Sequence, residues 1–364
     1  MKIGIDARCL NWSDNTIGPY QRGLVHTLLN HKTTDTVTIF VPEGVDFLHH
    51  SSQIDVVPTD IRPGSTAEQI EFGHLLDQYQ FDVVHFLHFY HPISYNGTQY
   101  YTCMDSVPIK NGAAVHSSAS TLESMLFRHA IKKATAIITP LLSIKRELGE
   151  HYRRAADRIW VIPLGSDIDK AVVSSDNEEL QGTRKAYIVG YISNNASLAQ
   201  IFEAFSTLRA SNRSLQLVLC GQPKPLLAHA QALASHFHFH SSVIIKDEVT
   251  DAQQNELFQH AKAVVILSSD TGYNFLVTRA MLGRVPVLCS ATPSLIETAS
   301  GGALYCSPDD PVQLADTLKK VVTDPHLRRV LIEQGTQRLA ELSWTYCVDH
   351  LFERYHALFV QHKQ

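Results

Sequence analysis

Two kinds of run alternate along this chain. Short stretches rich in Val, Ile, Leu and Tyr, such as "KIGID", "VTIFV", "IDVVP", "DVVHFL", "TQYYTCM", "AIITP" and "RIWVIP", have the continuous apolar character of strands buried on both faces. Between them lie longer segments with apolar positions at helical spacing: "PYQRGLVHTLLNH", "TAEQIEFGHLLDQY", "TLESMLFRHAIKKA" and "LSIKRELGEHY". In the first of these, Tyr20, Leu24, Leu28 and Leu29 share one helix face, which predicts a core-facing side. The pattern lapses over Asp167 to Lys185, a polar stretch that reads as a linker, and then resumes. "AYIVGYI", "LQLVLCG", "VIIKD", "AVVIL", "VPVLC" and "ALYC" predict strands; "LAQIFEAFSTLRA", "PLLAHAQALASHF", "AQQNELFQHA" and "YNFLVTRAML" predict the helices between them. Two further helices open on proline, in "PVQLADTLKKVVTD" and "PHLRRVLIEQGTQRLAEL", where first-turn proline is favoured. A last helix is predicted from about Ser343 to Gln361.

Strands alternating with helices on this scale predict parallel sheets covered on both faces. The expectation is an α/β protein of two Rossmann-like, doubly wound domains, 1–166 and 167–342. Their strand C-termini, and hence their loops, are expected to line a cleft. Composition changes this picture little. The formal net charge is -5 over 364 residues, which argues against nucleic acid as a partner. The six cysteines are scattered without a CxxC pair, and most fall in or beside apolar runs, as reduced buried thiols do. "MKIGIDARCL" opens as a strand rather than a leader, and no run approaches the ~18 apolar residues of a membrane span. A cytoplasmic protein is expected.

Certain phrases carry more than a fold class. In chain order they are "GIDAR", "TIGPYQRGL", "DVVHF", "IITPLLSIKREL", "IWVIPLGSD", "AYIVGYI…IFEAF", "LFQHAKAVVILSS", "RAMLGRVPVLCS…IETASGGALYCSPDDPVQLADTL" and "LSWTYCVDHLFERY". Together they resemble the GT-B glycosyltransferases, specifically family four, over essentially the whole chain. The resemblance implies a nucleotide-sugar donor on the second domain and a glycan, lipid-linked or protein acceptor on the first. It implies retention of configuration and chemistry without a metal or other cofactor, the nucleotide sugar being a co-substrate. A helix N-terminus and basic side chains would neutralise the leaving diphosphate. In this fold the last helix, here 343–364, crosses back to the first domain, with Trp344 in its packing. Surface polysaccharide or glycoconjugate assembly is the implied setting.

The donor-site positions depart from the family's pattern. Its Glu-Gly-Phe-Gly run falls on Thr271, Gly272, Tyr273 and Asn274 in "SSDTGYNFLVTRA", with Asp270 one place earlier as an alternative carboxylate. Its second Glu, which accepts ribose hydroxyls, falls on Arg279; an arginine offers only donors. Two bases that meet the diphosphate are replaced by Tyr191 and Ala196, and its His-Asp is here Met104-Asp105. Neutral donors bind anions about half as strongly as charged ones, so the losses bear on transition-state stabilisation. Two readings follow: a transferase with a rebuilt donor site, or a non-catalytic relative that binds a glycan or supports a partner transferase.

The remaining candidates come with competing explanations. Asp105 and His85, a histidine that the family shares at this strand end, are the catalytic candidates. Gly18 either lets backbone approach the diphosphate or serves a plain turn; Arg8 either compensates for a lost base or makes a surface ion pair. Glu297 matches a nucleotide-side Glu, or caps a helix. His88, Lys145 and Arg146 are acceptor-side candidates, and His85, His88 and His91 at three-residue intervals are not spaced for a metal on a strand and loop. "HFHFH", His236 to His240, is read as a surface strand or helix end. Eight Lys or Arg between Arg128 and Arg158 form the one basic stretch, either two solvated helix faces or a peripheral contact with anionic lipid at the inner membrane face.

Overall fold

Strand β1, Lys2–Asp6, has Ile3 and Ile5 on one side and Gly4 on the other, and all three are buried. A strand buried on both faces belongs in the middle of a covered parallel sheet. There β1 pairs with β2 (Thr36–Pro42) on one side and β4 (Val83–Phe86) on the other, with Ile5 opposite Ile39 and His85. With β3 (Ile54–Thr59), β5 (Gln99–Thr102), β6 (Ala136–Thr139) and β7 (Ile159–Val161) they form a parallel sheet in the order β3-β2-β1-β4-β5-β6-β7. The order reverses between β1 and β4, the place where doubly wound sheets open a crevice at their C-terminal edge. In this computed structural model residues 1–12, 16–45, 53–105, 121–166, 187–220, 224–247, 249–269, 272–307 and 310–362 are described.

The helices of this sheet are α1 (Ile17–Leu29), α2 (Gly73–Tyr79), α3 (Thr121–Lys133) and α4 (Leu142–His151). Sequence periodicity predicts one helix through "TAEQIEFGHLLDQY"; its first part is instead a π-helical turn, Glu68–Phe72. The wider turn accompanies burial of both Glu68 and Phe72, on which Arg8 closes.

The second sheet repeats the wind. Strands β8 (Tyr187–Ile192), β9 (Gln216–Cys220), β10 (Val243–Lys246), β11 (Ala263–Leu267), β12 (Val287–Ser290) and β13 (Ala303–Cys306) run parallel in the order β10-β9-β8-β11-β12-β13. Their alternate residues feed two cores. Ile188, Leu217, Leu219 and Val265 pack with Phe202 and Phe205, while Val189, Tyr191, Val218 and Ile266 pack with Phe258 and Val277. Each large apolar side chain so buried contributes about 1.5–3 kcal/mol. The covering helices are α5 (Asn195–Ser211), α6 (Lys224–His236), α7 (Asp251–His260), α8 (Phe275–Leu282), α9 (Pro293–Ala299), α10 (Pro311–Thr323) and α11 (Pro325–Glu341). "HFHFH" begins on His236, the last residue of α6, and turns away from it through His238 in the left-handed region, φ 57°.

The chain divides into two units: Met1–Gly165 with Thr271–Tyr273 and Leu342–Gln364, and Ser166–Asp270 with Asn274–Glu341. The last helix, α12 (Trp344–His362), therefore belongs with the first sheet. There the Trp344 indole lies so close to Gly23 and Gly165 that a Cβ on either glycine would collide with it. His356 Nε2 bonds Asp35 at 2.7 Å, and Asp35 also accepts from the N-terminal ammonium at 2.6 Å. All six cysteines are free and buried. Among the described residues no helix is long and apolar enough to cross a membrane.

Candidate functional site

In the first unit, the loops after β1 and β4 meet at the reversal of strand order. Arg8 follows β1 and is 3% exposed. Its Nε and Nη2 each donate to an Asp6 carboxylate oxygen at 2.8 Å, Nη2 also donates to Glu68 at 2.6 Å, and Nη1 to the Ile61 carbonyl at 3.1 Å. The guanidinium lies 3.6 Å over the Phe72 ring. Burial alone would lower its pKa, but the Asp6 and Glu68 carboxylates outweigh that and raise it. The compensating cation expected at Arg8 is thus corrected: its charge is sealed inside the unit by two carboxylates.

His85 is also corrected as a catalytic candidate. It is 0% exposed, with Nδ1 bonded to the Tyr355 hydroxyl at 2.6 Å and Nε2 to the Thr102 hydroxyl at 2.9 Å. Tyr20 continues the chain, its hydroxyl 2.8 Å from that of Thr102. Burial lowers the His85 pKa to about 3, so the ring is neutral at physiological pH and has no nitrogen left for a substrate. Gly18, in the first turn of α1, is accounted for by packing: a Cβ there would collide with the Trp12 carbonyl. Asp105, three residues beyond β5, is half-buried. Gly272 and Tyr273 group with the first unit, where the Tyr273 N–H donates to the Met104 carbonyl at 3.0 Å. Lys145 is half-buried and Arg146 exposed on α4.

His88 stands in an aromatic group that the sequence reading missed. Its ring packs against Trp12 (centroids 5.6 Å apart, edge-on), Phe89 (4.0 Å) and Tyr90 (4.7 Å, stacked). Tyr90 is seated against Gly64, whose φ of 78° suits glycine, and donates to Glu123 at 2.6 Å. Trp12, His88, Phe89 and Tyr90 are all half-exposed. The sequence signal was a tryptophan following a strand end, in "CLNWS", against an aromatic run at another strand end, in "HFYHP". Nothing local joins the two.

In the second unit, the order reverses between β8 and β11. The loop after β8 carries Ser193 and Asn194, and the Asn194 side chain caps α5 by accepting from the Ser197 N–H at 2.9 Å. Ser268 follows β11, and Ser290 ends β12 with Thr292 and Ser294 after it; Ser290 Oγ accepts from the Ser268 N–H at 3.2 Å. This edge presents hydroxyls and backbone N–H groups. His229 of α6 bonds Asn195, the first residue of α5, at 2.8 Å.

Arg279 and Tyr191, both at positions where the family pattern has the other type of group, are joined by a third residue. Arg279 Nη1 donates to Asp251 at 2.7 Å and to Gln254 Oε1 at 3.0 Å, and Nη2 donates to the second Asp251 oxygen at 3.3 Å. Gln254 Nε2 donates to the Tyr191 hydroxyl at 2.9 Å. Burial raises the Tyr191 pKa, and the side chain packs edge-on against Phe258. Arg279 and Tyr191, both expected on the donor side, are buried and engaged within their own unit. Asp251 and Gln254 were not singled out from sequence. The signal available was the Thr250–Gln253 capping box, which fixes the first turn of α7 and so presents both. Asn274 caps α8 by accepting from Leu276 N–H at 2.9 Å. Glu297 is half-buried on α9, its carbonyl accepting from Arg338. Asp270 and Thr271 lie outside the described residues, as does the linker Asp167 to Lys185. Among the described residues no cluster of His, Cys, Asp and Glu could hold a metal.

Comparison with known proteins decides the family. A model described as Glycosyl transferases group 1 matches residues 170–338, and one described as Glycosyltransferase Family 4 matches residues 30–170. The chain belongs to the GT-B glycosyltransferases of family-four type. Among curated relatives, a D-inositol 3-phosphate glycosyltransferase of Corynebacterium jeikeium is 24% identical over 230 residues, 58% of this chain and 55% of that protein. The chain thus spans about half the length of the curated relatives it matches. Among solved GT-B structures, sucrose-phosphate synthase from Thermosynechococcus elongatus superposes with a TM-score of 0.74 at 16% identity, over 99% of this chain and 100% of that one. Anabaena HepE, solved in complex with UDP and glucose, gives 0.67 at 14% identity, over 97% and 99%. These structural likenesses establish the two-sheet GT-B fold.

Proposed function

We propose that this family member transfers a sugar from a nucleotide-sugar donor to a glycan, lipid-linked or protein acceptor, with retention and without a metal, in surface polysaccharide or glycoconjugate assembly. The observation that carries this reading is the GT-B fold over the whole chain, with a relative named for glycosyl transfer and a structural neighbour solved with UDP and glucose. The edge between β8 and β11 supports it chemically. The first turn of α5 would offer N–H groups, and the half-exposed Ser193 and Asn194 neutral polar groups, to a diphosphate. The exposed bases Arg128, Lys132, Lys133, Arg153 and Arg154 would hold such an enzyme against anionic lipid at the inner face of a membrane, where lipid-linked acceptors sit.

A second reading is favoured by one feature: the Arg279–Asp251–Gln254–Tyr191 network satisfies within the protein two positions that face the donor in the family. On that reading the chain is a non-catalytic relative that binds a glycan or a partner transferase. Thermal melting with UDP, GDP, ADP, CMP and dTDP, and their common sugars, separates the two. A rise with one nucleotide, followed by turnover of its sugar, supports transfer. Flat responses on a cooperatively melting protein support the non-catalytic reading.

A further inference from the structure

We infer that α12 is a closing strap: the second unit completes its fold first and by itself, and the first unit is finished only when this last helix seats. The inference goes beyond the transferase reading and holds whether or not the chain moves a sugar. It rests on where each unit finds its core. Among the described residues, both cores of the second unit are lined from within it, from Ile188 to Leu331 in one and from Tyr187 to Leu339 in the other. Apart from Thr271–Tyr273, that unit is one unbroken run of chain. The first unit is divided, with Met1–Gly165 at one end of the chain and Leu342–Gln364 at the other.

The first unit cannot do without what α12 supplies. Trp344, Val348, Leu351 and Tyr355 recur at helical spacing, and the last three are no more than 1% exposed. Burying several such side chains is comparable with the whole net stability of a domain. The Trp344 indole fills the space that Gly23, in the middle of α1, and Gly165 leave by having no side chain. Glycine inside a helix is unfavourable in itself, so α1 gains from that slot only when the indole is in it. Polar groups depend on the helix as well. His85, 0% exposed, has the Tyr355 hydroxyl on Nδ1 at 2.6 Å, and the buried Asp35 accepts from His356 at 2.7 Å. Arg354 lies 3.8 Å over the Trp160 ring of β7. Without α12 the first unit would hold empty slots and unpaired polar groups. These two hydrogen bonds span 270 and 321 residues, and contacts so distant in sequence are slow to close. An N-terminal unit commonly folds first as a chain is made; here the order is reversed.

The test refolds the full chain from guanidinium under pulsed deuterium labelling, with peptides read by mass spectrometry. Strands β8 to β13 should gain protection about ten times faster than β1, β4 and β5, which should gain it together with α12. In the folded protein, exchange at rising denaturant should release α12 and the first sheet at one midpoint. Tyr355→Phe, which removes only a hydroxyl, should lower that shared midpoint and leave the second sheet's unchanged. Trp344→Phe repeats the measurement should the first variant fail to fold. Protection of the first sheet before α12, or before the second sheet, overturns the strap. So does release of α12 while the first sheet stays protected, or a variant that shifts both sheets alike or neither.

Discussion

The two units share one wind and place different chemistry at the same point of it. Where the first sheet reverses order, ionisable groups have been drawn inside: Arg8 between Asp6 and Glu68, and His85 and His91 at 0% exposure. Where the second reverses, the edge carries serines, a threonine and an asparagine, and an ion pair, Arg279 with Asp251, reaches the surface through a carboxylate that is 62% exposed. None of the described histidines of the second unit is buried. A fold therefore sets where a site can be, and leaves its charge to the sequence. The first unit has bound up its charges in its own stability, while the described part of the second unit's edge is made of neutral polar groups.

Acid should expose this difference most strongly. Burial lowers the pKa of His85 to about 3 and of His91 to about 4, against about 6.5 when unfolded. Their folded values are depressed, so the stability is fully present above pH 6.5 and is lost as pH falls toward those values. Each ring costs up to about 1.4 kcal/mol per pH unit once pH is well below 6.5, so the pair removes about 3 kcal/mol between pH 6.5 and 5. The Asp35 carboxylate, held low by the N-terminal ammonium and His356 despite burial, adds a further loss only below about pH 4. Calorimetry from pH 7.5 to 5 should show the first unit's transition falling much faster than the second's. Parallel transitions would break the comparison.

Arg8→Ala should come next, at about 3–5 kcal/mol, because it leaves Asp6 and Glu68 buried without a counter-charge. The loss should appear in the first unit's transition alone. Arg279→Met should cost less, about 1–2 kcal/mol, since Asp251 is largely in water and the Gln254 oxygen loses a partner. If this variant leaves melting nearly unchanged yet alters the response to nucleotides, Arg279 serves recognition as well as structure. Asn274→Ala should be the smallest, about 1 kcal/mol, by removing the cap on α8. Denaturant titration reads both.

Much of the architecture was legible in local pattern, because strand and helix are written in periods of two and 3.6 that neighbouring residues complete by themselves. Thus "KIGID" and "AVVIL" became central strands, the prolines at Pro311 and Pro325 began helices, and two doubly wound sheets followed. The family phrases, spread along the chain, carried the fold further than periodicity could. What sequence could not decide was the state of each candidate side chain. Arg8 meets Glu68 across 60 residues, and His85 meets Tyr355 across 270. Trp12 lies beside His88 and Tyr90, and Arg279 beside Asp251, only because the sheet and its helices bring them together. An isolated arginine or histidine in a sequence has no defined charge environment. Burial and partners supply it, and both are properties of the packed chain.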